Sequence, residues 1–466
     1  MSVWIETVKE SRGLDLERET AEGLHSSTKT RSLSHLNNER LGGYRSWQSG
    51  WKLLSMRRID QGRLRAPARV IDLELTQLDQ DYLAEIDVER YNSIWCLSRE
   101  LGNPKEISFW DVADESRISL GALCQHGHSR ETSVAPDVDA HSVVHPLAEI
   151  TIVICTRNRP SQLRRALESL KNQSDADFRV LVVDNAPSSL ASAEIVEDFD
   201  LDRCEYLVEP RPGLSRARNR ALEHVSTEFV AWLDDGEVAD IHWVRCVKEG
   251  FRHESLPNAV CGLMLPAELE SEAQVRFEQY GGFNKGRGLT SEVLRAGTSD
   301  ALNPLYPLPA IGSGGNMAFR VDALRAIGGF DPNLGAGTRT HGGEETRAFA
   351  LMLRSGHSII HWPAAITWHF HRREMSALHQ QFFGYSAGLS AFYASLIRSN
   401  PAITLELLKL ARYVVRDLDV RGENLRVGHL PRDFPKSLLR ASRKGYLQGA
   451  FLYAYEVLKD RSTSIR

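Results

Sequence analysis

Two adjacent carboxylates, Asp234 and Asp235, directly follow an apolar run in the stretch EFVAWLDDGEVAD, residues 228–240. Adjacent carboxylates repel each other, and removing them from water is costly. A buried strand that ends on such a pair therefore needs a positive partner close to the turn. The pattern predicts either a metal cation held by these side chains or a solvated turn in which Asp235 caps a helix.

Polar residues also follow two earlier apolar runs, EITIVI and FRVLVV. The residues after these runs are Thr156, Arg157, Asn158, Arg159, Asp184 and Asn185. Ligands of open α/β sheets bind beyond the carboxyl ends of the strands. We therefore expect these two turns and the Asp234–Asp235 turn to face one ligand.

The three turns lack the glycine patterns of the usual phosphate-binding loops. None of them contains GxGxxG, and GxxxxGK does not occur in the chain. The usual cradles for dinucleotides and for ATP are therefore absent. A phosphate-bearing ligand would need another counter-charge, and a divalent metal held by the strand-end aspartates would supply it.

Alternating strand and helix patterns position these turns. After the first strand, PSQLRRALESLKNQ places Leu163, Ala166, Leu167 and Leu170 on one helical face, and Pro160 suits the first turn of that helix. A second helical pattern precedes the run EFVAWL. Strand, helix, strand, helix, strand predicts a parallel sheet covered on both faces, and hence an α/β fold class.

Composition divides the chain into five parts. Residues 1–65 are polar without periodicity, which predicts that they are largely disordered. In residues 66–124, apolar-aromatic runs flank the turn GNP, so we expect a small β-rich module. Residues 125–147 are predicted to be a linker, 148–375 the α/β domain, and 376–466 a helical region with apolar side chains every three to four positions.

Charge and cysteine usage limit the class of protein. The net charge is −4, from 57 basic and 61 acidic residues, which argues against nucleic acid as a partner. The N-terminal stretch has no apolar signal-peptide core, and no apolar run approaches the roughly 18 residues that span a bilayer. Six widely spaced cysteines without a CxxC pair predict reduced core cysteines, so we expect a cytoplasmic protein.

A basic flank marks one C-terminal helical segment. The stretch TLELLKLARYVVRDL carries Lys409, Arg412 and Arg416 along one side. Such a helix lies on an anionic membrane surface or covers the protein core. Covering a core face is the commoner case, and we favour it for this segment.

Six segments occur in an order and spacing that resemble family-2 glycosyltransferases with the GT-A fold, over roughly residues 149–373. They are ITIVICTRNRPSQLRRALESL, LVVDNAPSS, EPRPGLSRARNRAL, FVAWLDDG, GSGGNMAFRVDALRAIGGFD and HGGEETRAFALMLRSGHSIIHWPAAITWHFHRR. The resemblance implies a GT-A-type, Rossmann-like mixed sheet flanked by helices. The β-rich module ahead of it looks like the N-terminal extension of some bacterial members.

The resemblance also assigns roles to individual residues. The implied nucleotide contacts are Thr156, Asn158, Arg159, Asp184, Arg211, Arg218, Asn219 and Asp234. The implied sugar and acceptor side is formed by Gly314, Gly315 and Asn316. The implied metal ligands are Asp235, with His369 or His371, and the acidic pair that contains the catalytic base is Glu344 and Glu345.

The implied activity is an inverting transfer of one sugar from a nucleotide-diphosphate sugar to a hydroxyl acceptor, in glycan or glycolipid synthesis, assisted by Mg²⁺ or Mn²⁺. Glu345 would take the proton of the acceptor hydroxyl. Two departures from the family pattern are Gly236, where some members carry a third acid, and Glu345, where aspartate is commoner. The alternative is a non-catalytic nucleotide-sugar-binding or scaffold protein. Peripheral contact of the C-terminal helices with the inner membrane face is the less favoured alternative to their covering a core face.

Overall fold

The computed structural model describes residues 56–77, 84–125, 149–199, 203–284, 287–296, 305, 311–418 and 430–464. All of these residues belong to one compact unit, Met56–Arg466. Most of the segment predicted to be disordered and nearly all of the predicted linker lie outside the described residues.

The N-terminal part of the described chain is rich in β-structure. Its strands are β1 (Arg57–Arg58), β2 (Ala68–Glu74), β3 (Glu85–Asp87), β4 (Ser93–Glu100), β5 (Asn103–Asp111) and β6 (Arg117–Ser119), with 3-10 helices at Gln61–Arg63 and Leu75–Gln77 and a short helix α1 (Leu120–Gln125). Four of these strands form a sheet in the order β1-β5-β4-β2. The β4–β5 hairpin turns at Leu101 and Gly102, both with positive φ, and Gly102 is the first residue of the predicted GNP turn.

A mixed sheet of nine strands dominates the rest of the described residues. Its strands are β7 (Ile150–Thr156), β8 (Phe178–Asn185), β9 (Cys204–Glu209), β10 (Phe229–Leu233), β11 (Glu237–Ala239), β12 (Ala259–Pro266), β13 (Glu292–Leu294), β14 (Asn316–Arg320) and β15 (Ile359–His369). The order is β11-β15-β12-β14-β10-β7-β8-β9, and β13 pairs with β15. The predicted parallel arrangement holds for β10, β7, β8 and β9. Beyond β10 the sheet becomes mixed, because β14 runs antiparallel to β10 and β12.

Helices cover both faces of this sheet. They are α2 (Pro160–Lys171), α3 (Ala191–Asp198), α4 (Leu214–His224), α5 (Trp243–Arg252), α6 (Glu272–Gln279), α7 (Val321–Ala326) and α8 (Glu344–Arg354). Ile152 and Ile154 of β7 pack with the cluster that contains α2 and α5, whereas Val153 packs on the opposite face with α4 and α8. Burial on both faces explains why these strands are continuously apolar rather than alternating.

The described residues of the C-terminal region form three helices: α9 (Met375–Ser399), α10 (Ile403–Leu418) and α11 (Lys436–Ser464). Helices α9 and α11 pack closely at two glycines of α11. A Cβ on Gly445 would lie 2.1 Å from the carbonyl oxygen of Phe383, and one on Gly449 would lie 2.0 Å from that of Ala387. Among the described residues, no helix is both long and apolar enough to cross a bilayer.

Arg99 of β4 joins the small sheet to the α/β domain. Its guanidinium donates to Asp72 of β2 and to Asp240, which follows β11, at 2.7 Å in each case. The side chains of Arg99 and Asp240 are only 7% and 9% exposed. The pair therefore fixes how the small sheet packs on the domain.

We expect Arg99→Ala to lower the free energy of unfolding by about 3–5 kcal/mol, because it leaves the buried Asp240 carboxylate without its cation. Arg65→Ala is the matched control, since Arg65 bonds Asp111 from the same small sheet with a side chain that is 54% exposed. Its effect should stay within about 1 kcal/mol. Urea unfolding of both variants measures the difference, and equal losses would contradict a joining role for Arg99.

Candidate active site

Asp235 lies at the carboxyl edge of the sheet with both of its oxygens engaged. Its Oδ2 accepts a hydrogen bond from the Thr156 hydroxyl at 2.8 Å, and its Oδ1 accepts one from the Arg159 guanidinium at 2.9 Å. The side chain is 3% exposed. Burial, together with the charge of Asp234, raises the pKa of Asp235 to about 6, while Arg159 opposes the shift. Arg159 is therefore the positive partner that the paired carboxylates required.

Asp234 is oriented differently from its neighbour. A Cβ placed on Gly236 would lie 3.3 Å from Oδ2 of Asp234 and 3.6 Å from Nε2 of His369. A carboxylate oxygen and an imidazole nitrogen thus border the same small space, and the missing side chain of Gly236 keeps it open. Asp234 and His369 are both only partly buried. These donor types suit a divalent cation.

A chain of hydrogen bonds fixes the orientation of His369. Its Nδ1 lies 2.9 Å from Nδ1 of His371, whose Nε2 lies 3.0 Å from a carboxylate oxygen of Glu278. Because the carboxylate accepts, His371 carries its proton on Nε2, and its Nδ1 accepts from Nδ1–H of His369. The Nε2 of His369 then has a free lone pair. Burial holds the pKa of His369 well below its usual value and keeps the ring neutral.

His371 consequently lies behind His369 instead of beside it. Both of its ring nitrogens are engaged, and the side chain is buried. Of the two histidines predicted as alternative metal ligands, His369 alone has a ring nitrogen directed at the space beside Asp234. Glu278, which sequence patterns did not single out, orients it from helix α6.

The two acids that begin helix α8 point to different places. Glu344 is buried, and one of its oxygens accepts from the Arg218 guanidinium at 3.0 Å. Arg218 also donates to the carbonyl oxygen of Gly314 at 2.8 Å. A Cβ on Gly314 would lie 3.5 Å from Cβ and Cγ of Glu345. Glu345 therefore stands over the Gly314 backbone and is the more accessible acid of the two.

A positive backbone angle and a close contact with helix α9 fix the start of helix α8. Gly343 precedes it with a φ of 93°, and a Cβ there would lie 2.4 Å from the carbonyl oxygen of Gly388 in α9. Only glycine fits this approach and this backbone angle. The close packing of α9 against this turn explains how the acidic pair is held at the sheet edge.

Burial, with the adjacent charge of Glu345, raises the pKa of Glu344 to about 8. The folded protein therefore binds a proton that the unfolded chain releases near its ordinary value of 4.5, so stability falls as pH rises between these values. Glu344→Gln keeps the shape of the protonated side chain but does not titrate. We expect its stability to match that of the wild type near pH 4.5 and to exceed it increasingly as pH approaches about 8. Melting temperatures across this range measure the difference, and a constant offset would contradict the shift.

Asp184 offers a buried acceptor at the end of β8. Its Oδ2 accepts from the hydroxyl of Tyr206 at 2.9 Å, and its Oδ1 has no hydrogen-bond partner among the described residues. The side chain has no exposed surface. A buried carboxylate oxygen without a donor is costly, and an N–H group of a ligand would satisfy it.

Three other predicted nucleotide contacts border the same edge. Asn158 has a φ of 55° and accepts from the backbone and hydroxyl of Ser188, so its carbonyl oxygen shapes the turn after β7. Arg211 is exposed, and its backbone is held by Glu209 and Asn185. Arg218, in contrast, is buried between Glu344 and Gly314 and serves to position them.

Asn316 is buried in the interior, and Asn219 is partly buried and bonded to the protein backbone. The amide of Asn316 donates to the carbonyl oxygens of Leu263 and Ala365 and accepts from the indole of Trp243. Asn219 exchanges two hydrogen bonds with the backbone of Phe330. Protein groups use both N–H groups and the oxygen of the Asn316 amide, which argues against its predicted ligand contact, and the Asn219 amide is engaged through one N–H and its oxygen.

Gly315 and Glu237 form the floor beneath this edge. A Cβ on Gly315 would lie 1.8 Å from Oε1 of Glu237, so only glycine fits. Glu237 is 1% exposed, and burial, with the charge of Asp234, raises its pKa well above the usual value. It lies inside the protein and does not replace the acid that is missing at Gly236.

Residues 151–328 match the family Glycosyl transferase family 2. The chain contains a family-2 glycosyltransferase domain. The matched segment begins in β7 and ends just after α7, so it includes Asp184, Asp234 and Asp235. The residues Glu344, Glu345 and His369 follow it.

The glycosyltransferase relatives cover part of the chain. A pre-mycofactocin glycosyltransferase of Mycobacterium tuberculosis is 28% identical over 247 residues, which is 51% of this chain and 47% of the relative. The succinoglycan biosynthesis protein ExoW of Rhizobium meliloti is 36% identical over 98 residues, which is 20% of this chain and 30% of the relative. This chain thus spans about half the length of the mycobacterial relative.

Among solved structures, the mannosyltransferase PcManGT from Pyrobaculum calidifontis, in complex with GDP-Man and Mn²⁺, aligns with a TM-score of 0.42 and 17% identity. The alignment covers 68% of this chain and 88% of that structure. Within the described residues of this family-2 domain, no group of three or more His, Cys, Asp or Glu side chains forms a metal centre.

Proposed function

We propose that this protein is an inverting glycosyltransferase that moves one sugar from a nucleotide-diphosphate sugar to a hydroxyl acceptor. The observation that carries the proposal is the pairing of Asp234 Oδ2 and His369 Nε2 around Gly236, at the carboxyl edge of a family-2 domain. Such an edge is where open α/β sheets bind their ligands. Glycan or glycolipid assembly in the cytoplasm, with peripheral membrane contact, is the setting we propose.

The Asp234–His369 pair fits a divalent metal. Mg²⁺ and Mn²⁺ accept one or two protein donors and complete their shells with water and substrate phosphates. Bound there, either ion would neutralise the charge that develops on the diphosphate leaving group. The family resemblance implied this role for Asp235, but both oxygens of Asp235 already accept from Thr156 and Arg159. We therefore assign the metal to Asp234 and His369.

The chain's own groups would hold and activate the two substrates. Asp184 would accept an N–H of the nucleotide base through its unpartnered oxygen, which has no exposed surface in the free protein and would have to be uncovered as the nucleotide binds. Arg159, which is half-exposed beside Asp235, would present its remaining N–H groups to the diphosphate. Glu345 would take the proton of the acceptor hydroxyl as that oxygen attacks the sugar. One base opposite the leaving group gives a single displacement and inversion, as in the logic of inverting hydrolases.

Nucleotide binding tests the proposal directly. We would measure the melting temperature with UDP, GDP, dTDP or CDP, each with and without Mn²⁺. One nucleotide should stabilise the protein only with Mn²⁺, by about 2.7 kcal/mol at a hundredfold excess over its Kd. Stabilisation that ignores Mn²⁺ would remove the metal from the proposal. No stabilisation by any nucleotide would contradict the donor class and favour the scaffold alternative.

A further inference from the structure

Helix α11 exposes a continuous apolar stripe along its outer side. The side chains of Leu447, Phe451, Tyr455 and Leu458 are between 48% and 78% exposed. Their spacing of three to four residues places them on one face of the helix. Exposed large apolar residues in such a row mark an interaction surface more often than residues scattered singly.

Basic side chains flank this stripe at both ends. The exposed cationic residues of α11 are Lys436, Arg440, Arg443, Lys444, Lys459 and Arg461. The two acids of the helix are turned away: Glu456 is buried and accepts from the backbone of Arg339, and Asp460 pairs with Arg216. Asp460 is 32% exposed but lies against the Arg216 guanidinium, so cationic side chains predominate on the exposed surface of α11 among its described residues.

The opposite side of α11 is fixed to the protein. Gly445 and Gly449 approach the α9 backbone, and the Tyr453 hydroxyl donates to the buried Asp331 at 2.8 Å. The inner face of α11 thus packs against the protein, and the outer face is left exposed. With 29 residues, α11 spans about 43 Å of that surface.

We propose that the outer face of α11 binds the surface of an anionic lipid membrane. A helix with an apolar stripe bordered by lysine and arginine lies in the plane of such a surface, with the apolar side chains among the acyl chains and the cations near the headgroups. A second copy of this face would bring like charges together. Nucleic acid would leave the Leu447, Phe451 and Leu458 side chains without an apolar environment.

This surface differs from the basic flank that the sequence suggested on α10. Arg412 and Arg416 of that flank lie outside the residues whose side chains the structure describes. The inference does not require the proposed transfer reaction, because lipid binding can be measured without substrate. A failure of lipid binding would therefore remove the membrane contact from the proposed setting but leave the proposed transfer reaction untouched, and a failure of transfer would leave the membrane face untouched.

Co-sedimentation of the full chain with vesicles tests the inference. Binding to equimolar phosphatidylcholine and phosphatidylglycerol should be strong and should weaken with added salt, and binding to phosphatidylcholine alone should be weak. The double variant Phe451→Asp, Leu458→Asp should lower the partition coefficient at least about tenfold, because it removes two inserting side chains. Leu101→Asp is the matched control, since Leu101 is 77% exposed and Phe451 is 78% exposed; it should bind as wild type.

Melting temperatures confirm that both variants fold. Equal vesicle binding by the double variant and wild type, or no binding by wild type, would overturn the proposal. A wild-type dimer in solution that the double variant dissociates would assign the face to a second copy instead. Tighter binding to an RNA oligonucleotide than to the anionic vesicles would likewise overturn it.

Discussion

Replacing Glu345 with glutamine is expected to lower kcat by about 10²–10⁴-fold while nucleotide binding stays near wild type. The amide keeps the size of the side chain above the Gly314 backbone but cannot take a proton from the acceptor hydroxyl. Glu345 does not contact the Asp234–His369 pair in any hydrogen bond of the structure's described residues, so donor affinity should be preserved. Release of nucleotide diphosphate measures turnover, and calorimetric titration with the nucleotide measures binding.

The neighbouring acid provides the control for this experiment. Glu344→Gln makes the same chemical change one position away, yet Glu344 is buried on Arg218 and its amide can still accept that hydrogen bond. Its effect on kcat should be at least about tenfold smaller than that of Glu345→Gln. Unchanged turnover in Glu345→Gln would remove the base assignment. Equal losses in both variants would indicate that the α8 start acts through structure instead of proton transfer.

The convergence of the strand-end carboxylates could be predicted from the sequence. Strands β7, β8 and β10 are short apolar runs separated by helical patterns, and parallel strands place their carboxyl ends at one edge. Asp184, Asp234 and Asp235 therefore had to meet there. The local sequence pattern was sufficient here because the position of each carboxylate depends only on where its strand ends.

The roles of buried polar side chains could not be predicted in the same way. The partners of Asn316 lie 49 to 73 residues away in the chain, and the Phe330 backbone lies 111 residues from Asn219. The Glu278–His371 contact spans 93 residues. Whether an amide faces a ligand or the core depends on such remote contacts, and a single sequence contains no local signal for them.

The same limit explains why the metal was first assigned to Asp235, whereas the hydrogen bonds of the folded protein favour Asp234. Adjacent residues at a strand end point in different directions, so one carboxylate of a DD pair is turned inward and the other outward. Thr156 and Arg159 saturate the inward one, Asp235. The free donor positions that a metal needs are therefore on Asp234, although both residues have the same chemistry.

Asp234→Asn and Asp235→Asn should consequently fail in different ways. We expect Asp234→Asn to weaken Mn²⁺ binding in the presence of nucleotide by about 10–100-fold, because it removes the charged oxygen beside His369, and to leave the melting temperature of the free protein unchanged. Asp235→Asn should instead destabilise the free protein by about 1–3 kcal/mol, because the acceptor for Arg159 or Thr156 is lost from a buried position. Calorimetric titration with Mn²⁺ and thermal unfolding without ligand separate the two effects. If Asp235→Asn abolished Mn²⁺ binding while Asp234→Asn bound Mn²⁺ normally, the metal would belong to Asp235, as the family resemblance implied. The hydrogen bonds from Thr156 and Arg159 would then have to break when the donor binds.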